Sequence, residues 1–212
     1  MVAASLIAGC STEVKKLPIT YVPQQNVQAI KGADAVPLEV TVEDLEPDEY
    51  MSGWAPLNPF WDRILRFQVK DAADAVKGAA EAELKARGFK IGSGGALVNI
   101  QIERFAAQTE PDGVFGFTGS GRGYLTMRVQ VQPQTGKVLF SKNVGAEGNP
   151  TRASFLGKPA THVLQESLAD AFKGLFADPD FTAAILATRQ PAPAKPVSPG
   201  RIAGASAIMS RR

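Results

Sequence analysis

Chemistry needs particular side chains within reach of one another, and this chain offers few of them. Its 212 residues include one cysteine, Cys10, and one histidine, His162. One cysteine excludes an intramolecular disulfide framework and any cysteine-based zinc cluster, and one histidine excludes a multi-histidine metal site. His162 opens an amphipathic stretch with no second ligand nearby, which points to a surface or capping role. Asp44, Glu46, Asp48 and Glu49 form an acidic cluster without the spacing of an EF-hand loop, so they read as a solvated loop. Glu103 and Glu110 would serve glycoside hydrolysis only if folding set them about 5 to 9.5 Å apart in a cleft. Two glycine runs, Gly92-Ser93-Gly94-Gly95 and Gly119-Ser120-Gly121-Arg122-Gly123, lack the Lys-Ser/Thr of a phosphate loop and lead into strands rather than helices. The first reads as a turn, and the second as a turn or a binding loop. The candidate partner-binding residues are aromatic: Trp54, Phe60 and Trp61 in one stretch, and Phe115 and Phe117 beside Arg122 in another. Such side chains anchor interfaces, and they equally cap the open end of a sheet.

The remaining reactive group is the Cys10 thiol, and its place in the chain gives it a meaning. Met1 to Gly9 is uncharged and apolar, ends in small residues, and gives way at Cys10 to polar Ser11, Thr12 and Glu13. The run is far too short to span a bilayer, which takes about 20 residues, and it resembles the end of a secretory signal. Leu6, Ile7, Ala8, Gly9 and Cys10 look like a lipobox, in which the first four are read by a signal peptidase. The resemblance implies that Cys10 carries a covalent diacylglycerol and an N-acyl chain such as palmitate, with no other cofactor, and that Ser11 directs the product to the outer membrane. A complete signal also has a basic region ahead of its apolar part, so the expected precursor starts before residue 1 and the mature chain at Cys10.

The elements that would position these residues follow from hydropathic period. Residues 11 to 36 show no sustained period and read as an extended tether, with a reach of about 85 to 95 Å. Leu38, Val40 and Val42 alternate with polar residues, as do Val98, Ile100 and Ile102, and again Leu125, Met127, Val129 and Val131, each marking a half-buried strand. Phe89 and Ile91 begin a short strand. Residues 46 to 67 read as a loop-like insert, and Gly113 to Gly123 as a long connection. Pro133 to Gly136 suits a type I hairpin turn into a strand with Val138, Phe140 and Val144. Lys142 interrupts that alternation, which predicts an edge position or a bulge. Val69, Ala73, Val76, Ala80 and Leu84 predict a helix over 69–87 that Gly88 terminates. Leu164, Leu168, Ala171 and Leu175 predict a last long helix capped by Thr161 and stopped at Asp178-Pro179, with a short helical turn over 180–188. Pro191, Pro193, Pro196 and Pro199 then mark a stiff tail.

Two amphipathic helices on one face of a mixed, mainly antiparallel sheet of four to five strands make an α+β two-layer sandwich, because each element then hides its single apolar face. The expected organisation is a signal remnant (1–9), a lipidated cysteine with tether (10–36), an α+β module (37–188) and a Pro-rich tail (189–212). A net charge of +2, with basic and acidic residues intermixed, argues against a nucleic-acid partner.

This order is similar to the YajG-like family of bacterial lipoproteins. The resemblance rests on the lipobox at Cys10, on Ala86-Arg87-Gly88-Phe89-Lys90-Ile91-Gly92 at the helix exit, and on Val98-Asn99-Ile100-Gln101-Ile102 on the next strand. It covers roughly residues 36 to 187 and supplies no catalytic residue. It implies a non-enzymatic, lipid-anchored outer-membrane protein that faces the periplasm and offers its module to a periplasmic protein or to peptidoglycan. An accessory subunit of an envelope assembly or transporter, docking through its Pro-rich tail, is the alternative. A cell-wall hydrolase is disfavoured for want of an acid/base constellation. Oligomeric state is not encoded in any visible motif.

Overall fold

A computed structural model describes residues 13–46, 51–55, 63–112, 118–148, 151–154 and 158–189. In chain order these form β1 (Glu13–Leu17), β2 (Pro37–Asp44), β3 (Met51–Ala55), β4 (Arg63–Val69), α1 (Ala72–Ala86), β5 (Lys90–Ile91), β6 (Ala96–Asp112), β7 (Thr118–Pro133), β8 (Phe140–Glu147), β9 (Thr151–Ser154), α2 (Lys158–Ala177) and α3 (Pro179–Ala187). The main sheet runs β5-β2-β6-β7-β8, and β9 continues the β8 side of β7. It is mixed: β2 is parallel to β5 and β6, and the later pairs are antiparallel. A smaller sheet runs β1-β4-β3, and β3 lies beside β6.

Period two explains the main sheet. Leu38 and Val40, then Ala96, Val98, Ile100 and Ile102, then Leu125, Met127, Val129 and Val131 are buried on one face, and all three helices pack there. The architecture is the expected α+β sandwich, with a third helix, α3, in place of a single turn. Along β6 the register shifts between Ile102 and Arg104. One extra residue moves the inward phase from even to odd numbers, so Phe105 and Ala107 take over the core positions.

The helices keep their predicted rows with adjusted ends. Asp71 sits in the left-handed region (φ 51°) with no capping side-chain bond, and α1 starts at Ala72, so Val69 belongs to β4 instead. At the other end Gly88 (φ 91°) closes α1 as read. Its N–H donates to the Lys85 carbonyl, and the Phe89 N–H donates to that of Leu84, while both apolar side chains are buried. α2 begins at Lys158, ahead of the expected Thr161 cap. Its first turns come so close to the sheet that a Cβ at Gly123 or Gly148 would fall 2.2 or 2.4 Å from the Val163 carbonyl oxygen. These glycines also bond to each other, Gly148 N–H to Gly123 O at 2.8 Å. Asp178 caps α3 by accepting from the Asp180 N–H at 2.9 Å, with Pro179 in the first turn. Phe181 then packs edge-on to Phe140 and Phe176.

Four readings are corrected. The segment expected to be a free tether is folded from Glu13 onward: β1 pairs with β4, Leu17, Ile19, Tyr21 and Ile30 pack on the core, and Ala33 and Val36 are buried. Its apolar residues show no period because they dock one by one onto other elements. The insert at 46–67 contains β3 and β4; β4 carries Arg63 and Arg66 at opposite phases, which erases the alternation a strand usually shows. The connection at 113–123 is mostly strand, since β6 runs to Asp112 and β7 starts at Thr118. Gly119, Gly121 and Gly123 continue the period of Leu125 without side chains to display it. Finally, the β7–β8 connection extends over 134–139, leaving Val138 and Leu139 exposed ahead of β8. β8 is an edge strand, in line with the Lys142 reading.

Candidate functional site

Many of the residues singled out from sequence lie outside the described residues: Leu6, Ile7, Ala8, Gly9, Cys10, Phe60, Trp61, Phe115 and Phe117. Trp54 is in β3, opposite Ile64 of β4. Arg122 is in β7, exposed, and bonds Glu147 of β8 at 2.9 Å. The two belong to different sheets. His162 is exposed, its Nδ1 3.5 Å from Glu166 one turn on. Asp44 accepts the Glu46 N–H at 3.2 Å, and burial pushes its carboxyl above the usual carboxylate range. Glu103 pairs with Arg128 at 3.1 Å on the open face of the sheet. Among the described residues no three His, Cys, Asp or Glu side chains are grouped to hold a metal ion, and no helix is long and apolar enough to cross a membrane.

The most organised polar cluster was not singled out from sequence. Glu83 on α1 and Arg87, the residue capping its C-terminus one turn on, are both buried and form an ion pair. Tyr21 Oη donates to Glu83 Oε1 at 2.6 Å, and the Gln24 N–H donates to the same oxygen at 2.7 Å. Arg87 reaches Gln24 Oε1 at 3.2 Å and the Glu83 carbonyl at 3.0 Å, and its guanidinium stacks 3.7 Å above the Phe176 ring. Burial alone would push the Glu83 carboxyl up. The bonds from Tyr21, Gln24 and Arg87 overcome that and hold it below its usual range. Burial, then the bond to Glu83, pushes the Tyr21 phenol up, so it stays protonated.

This cluster fastens residues 18–32 across α1 and α2. Tyr21 meets Phe172 edge-on, Gln165 Nε2 donates to the Thr20 carbonyl at 2.9 Å, and the Ile30 N–H donates to the Arg87 carbonyl at 2.9 Å. With Glu83 enclosed and its oxygens bonded, the arrangement suits fastening rather than proton transfer to a substrate. The available sequence signal is that Glu83 stands on the apolar row of α1, seven residues after Val76 and three after Ala80, with an arginine at i+4.

The two ends of β2 differ. At its C-terminal end, Asp44 shares a shallow hollow of about 310 Å³ with Lys16, Val69, Asp71 and Asp74, next to the small sheet. At its N-terminal end is a cleft of about 480 Å³, whose lining includes Pro37, Gly95, Pro133, Gln134, Thr135 and Arg189. Eight residues of strand, roughly 25 Å, separate the two.

Known proteins resemble this arrangement mainly in fold. A Xanthomonas campestris protein, XCC0632 of family DUF330, superposes over 82% of this chain and 96% of its own at 10% identity with a TM-score of 0.50. A minor lipoprotein from Acinetobacter baumannii aligns over 70% of this chain and 95% of its own at 8% identity, TM-score 0.41. No curated protein matches the sequence. The model of a family described as uncharacterized lipoprotein matches residues 23–186, which includes the fastened segment from Pro23 on, the whole main sheet, α1, α2 and all but the last residue of α3, and the chain belongs to that family.

Proposed function

We propose that the protein is a non-enzymatic lipoprotein of the YajG-like kind, anchored in the outer membrane through acylated Cys10 and facing the periplasm. There it offers its α+β module to a periplasmic protein or to peptidoglycan. The observation that carries this reading is the polarity of the fold along β2. The small sheet, whose β1 starts three residues after Cys10, lies at one end, and the cleft around Pro37, Pro133 and Arg189 lies at the other. Anchoring at the first end leaves the second pointing away from the bilayer. Its volume falls within the range of small-ligand and side-chain sites. The same geometry accommodates the role of accessory subunit in an envelope assembly, because Arg189 on the cleft rim is where the Pro-rich tail departs.

Two measurements test the reading. Cys10→Ala abolishes fatty-acid labelling in cells and releases the protein from membranes; unchanged labelling defeats the anchor. A photo-crosslinking residue at Gln134 captures an envelope component more efficiently than one at Lys77 on the exposed side of α1, and equal capture defeats the assignment of the distal end.

A further inference from the structure

The cleft at the N-terminal end of β2 and the hollow at its C-terminal end carry opposite charge. Among the described residues Arg189 is the one charged side chain lining the cleft, whereas Asp44, Asp71 and Asp74 line the hollow against Lys16. The segments flanking the cleft keep its sign. Lys31 adjoins Gly32, to which Arg189 bonds, Lys90 is the register partner of Pro37, and Lys137 follows Thr135 by two residues. All three lysines are exposed, and the flanking acids are Asp34 and Glu39. Beyond Arg189 the sequence adds Lys195, Arg201, Arg211 and Arg212 and no acidic residue. A chain whose net charge is only +2 thus concentrates its positive excess in the segments that form and follow this end. A concave site of one sign focuses its field on a ligand of the other.

The lining supplies the chemistry of the occupant. Pro37 and Pro133 contribute rigid apolar surface, and Gln134 and Thr135, both exposed on the turn after β7, contribute an amide and a hydroxyl. A Cβ at Gly95 would fall 1.9 Å from the Pro37 carbonyl oxygen, and one at Gly94 would have nothing within 4 Å, so bare backbone completes the wall. Arg189 Nη2 donates to the Gly32 carbonyl, which holds the guanidinium at the rim and engages one of its five N–H donors. The others can grip a carboxylate through parallel hydrogen bonds, the geometry that arginine fits best. We propose that the cleft takes a carboxylate-bearing segment of a partner protein, with Arg189 gripping the carboxylate and the surrounding lysines drawing the segment in. A volume of about 480 Å³ admits side chains, whereas a lipid surface is too flat to enter it. This rests on the reading that the distal end meets a partner, and deepens it by naming that partner's chemistry.

The test uses the full chain with Cys10→Ser, which carries no acyl chain, and the fluorescence anisotropy of a labelled hexaglutamate peptide, with labelled hexaglutamine as the neutral probe. Hexaglutamate is expected to bind more tightly, and salt to weaken it. Arg189→Gln lowers its affinity about tenfold or more, as the loss of a charge-assisted hydrogen bond requires. Lys90→Gln and Lys137→Gln lower it by up to about fivefold each. Arg189 also holds Gly32, so Gln134→Glu serves as the second variant: at an exposed position it adds a like charge to the cleft, and it weakens hexaglutamate while sparing hexaglutamine. Lys77→Gln with Lys173→Gln, exposed on α1 and α2, changes neither. Equal binding of the two peptides, an equal loss in the control pair, or a loss seen only when Lys195, Arg201, Arg211 and Arg212 are all changed to Gln overturns the proposal. Binding to phosphatidylglycerol vesicles in preference to hexaglutamate, abolished by the same cleft variants, overturns it in favour of a lipid surface. Envelope capture from Gln134 that persists while the two peptides bind alike keeps the docking end and overturns only the acidic partner.

Discussion

The molecule holds ion pairs of two kinds, and their settings give the same chemistry opposite roles. Glu83 and Arg87 are enclosed between α1, α2 and residues 18–32, bonded to each other, to Tyr21 and to Gln24, with Arg87 stacked on Phe176. Arg128 and Glu103, or Arg122 and Glu147, stand on the open face and edge of the main sheet, each side chain more than a quarter exposed. In water the attraction is screened, and holding long side chains in one geometry offsets much of it. Out of water the same charges strongly penalise any conformation that leaves one unpaired. The first kind therefore fixes where a segment lies, and the second constrains its surroundings little.

Removing one member of the enclosed pair gives the largest expected effect. Glu83→Ala strands the Arg87 guanidinium and the Tyr21 hydroxyl, and costs about 3–5 kcal/mol in urea unfolding. Glu103→Ala on the open face costs no more than about 1 kcal/mol. Similar losses at the two sites would erase the distinction between them.

Tyr21→Phe removes one bond and leaves Glu83 its other partners, for a smaller loss of about 1–2 kcal/mol. The pH dependence runs in two directions. The folded state holds the Glu83 carboxyl below its ordinary 4.5, so this stability is present above that pH and is lost as pH falls through the lowered value. The Tyr21 phenol is raised above its ordinary 10.0, so its share is complete below pH 10 and is lost only as pH rises through the raised value. Ultraviolet absorbance should show a phenol that remains protonated well above pH 10 in the wild-type chain. Tyr21→Phe should remove that late group. A titration that Tyr21→Phe leaves unchanged at high pH would break the description of the cluster.

Legibility in the sequence follows the same contrast. Strands whose inner faces are aliphatic, such as those with Val98, Ile100 and Ile102 or Leu125 to Val131, declare themselves by alternation, and α2 does so through its leucine row. Gly88 declares a helix end because few other residues adopt its backbone conformation. β1 and β4 are hidden because basic residues occupy both of their phases, and the Gly119 to Gly123 part of β7 because glycine shows no phase. The Glu83 cluster joins residues about 60 positions apart, Tyr21 and Gln24 with Glu83, and such a distance leaves no local pattern. What was visible was one charged residue out of place on an apolar helix row. Of the candidate functional residues, Cys10 is legible through its short flanking motif, while the aromatic residues are legible only as a composition whose meaning depends on where the chain carries them.

The smallest effect on stability, and the finest test of the contrast, lies at Lys142. It occupies the inward phase of β8 between buried Phe140 and Val144, yet it is exposed and reaches Asp178 at 2.7 Å, beside the start of α3. The bond to Asp178 raises the lysine pKa and lowers that of the carboxylate, and the pair remains in solvent. A charge on the inward phase of an edge strand discourages another strand from pairing there. Gly148 bonds back to Gly123, and alternation along the ladder turns the N–H and C=O groups of Ser141, Asn143, Gly145 and Glu147 outward. Lys142→Val fits the apolar period and β propensity, so thermal unfolding should hardly move. Sedimentation velocity should instead show stronger concentration-dependent association than the wild-type chain does. If the variant sediments as the wild type does, the exposed pair plays no part in guarding the edge, and the role of surface charge on this sheet reduces to solvation.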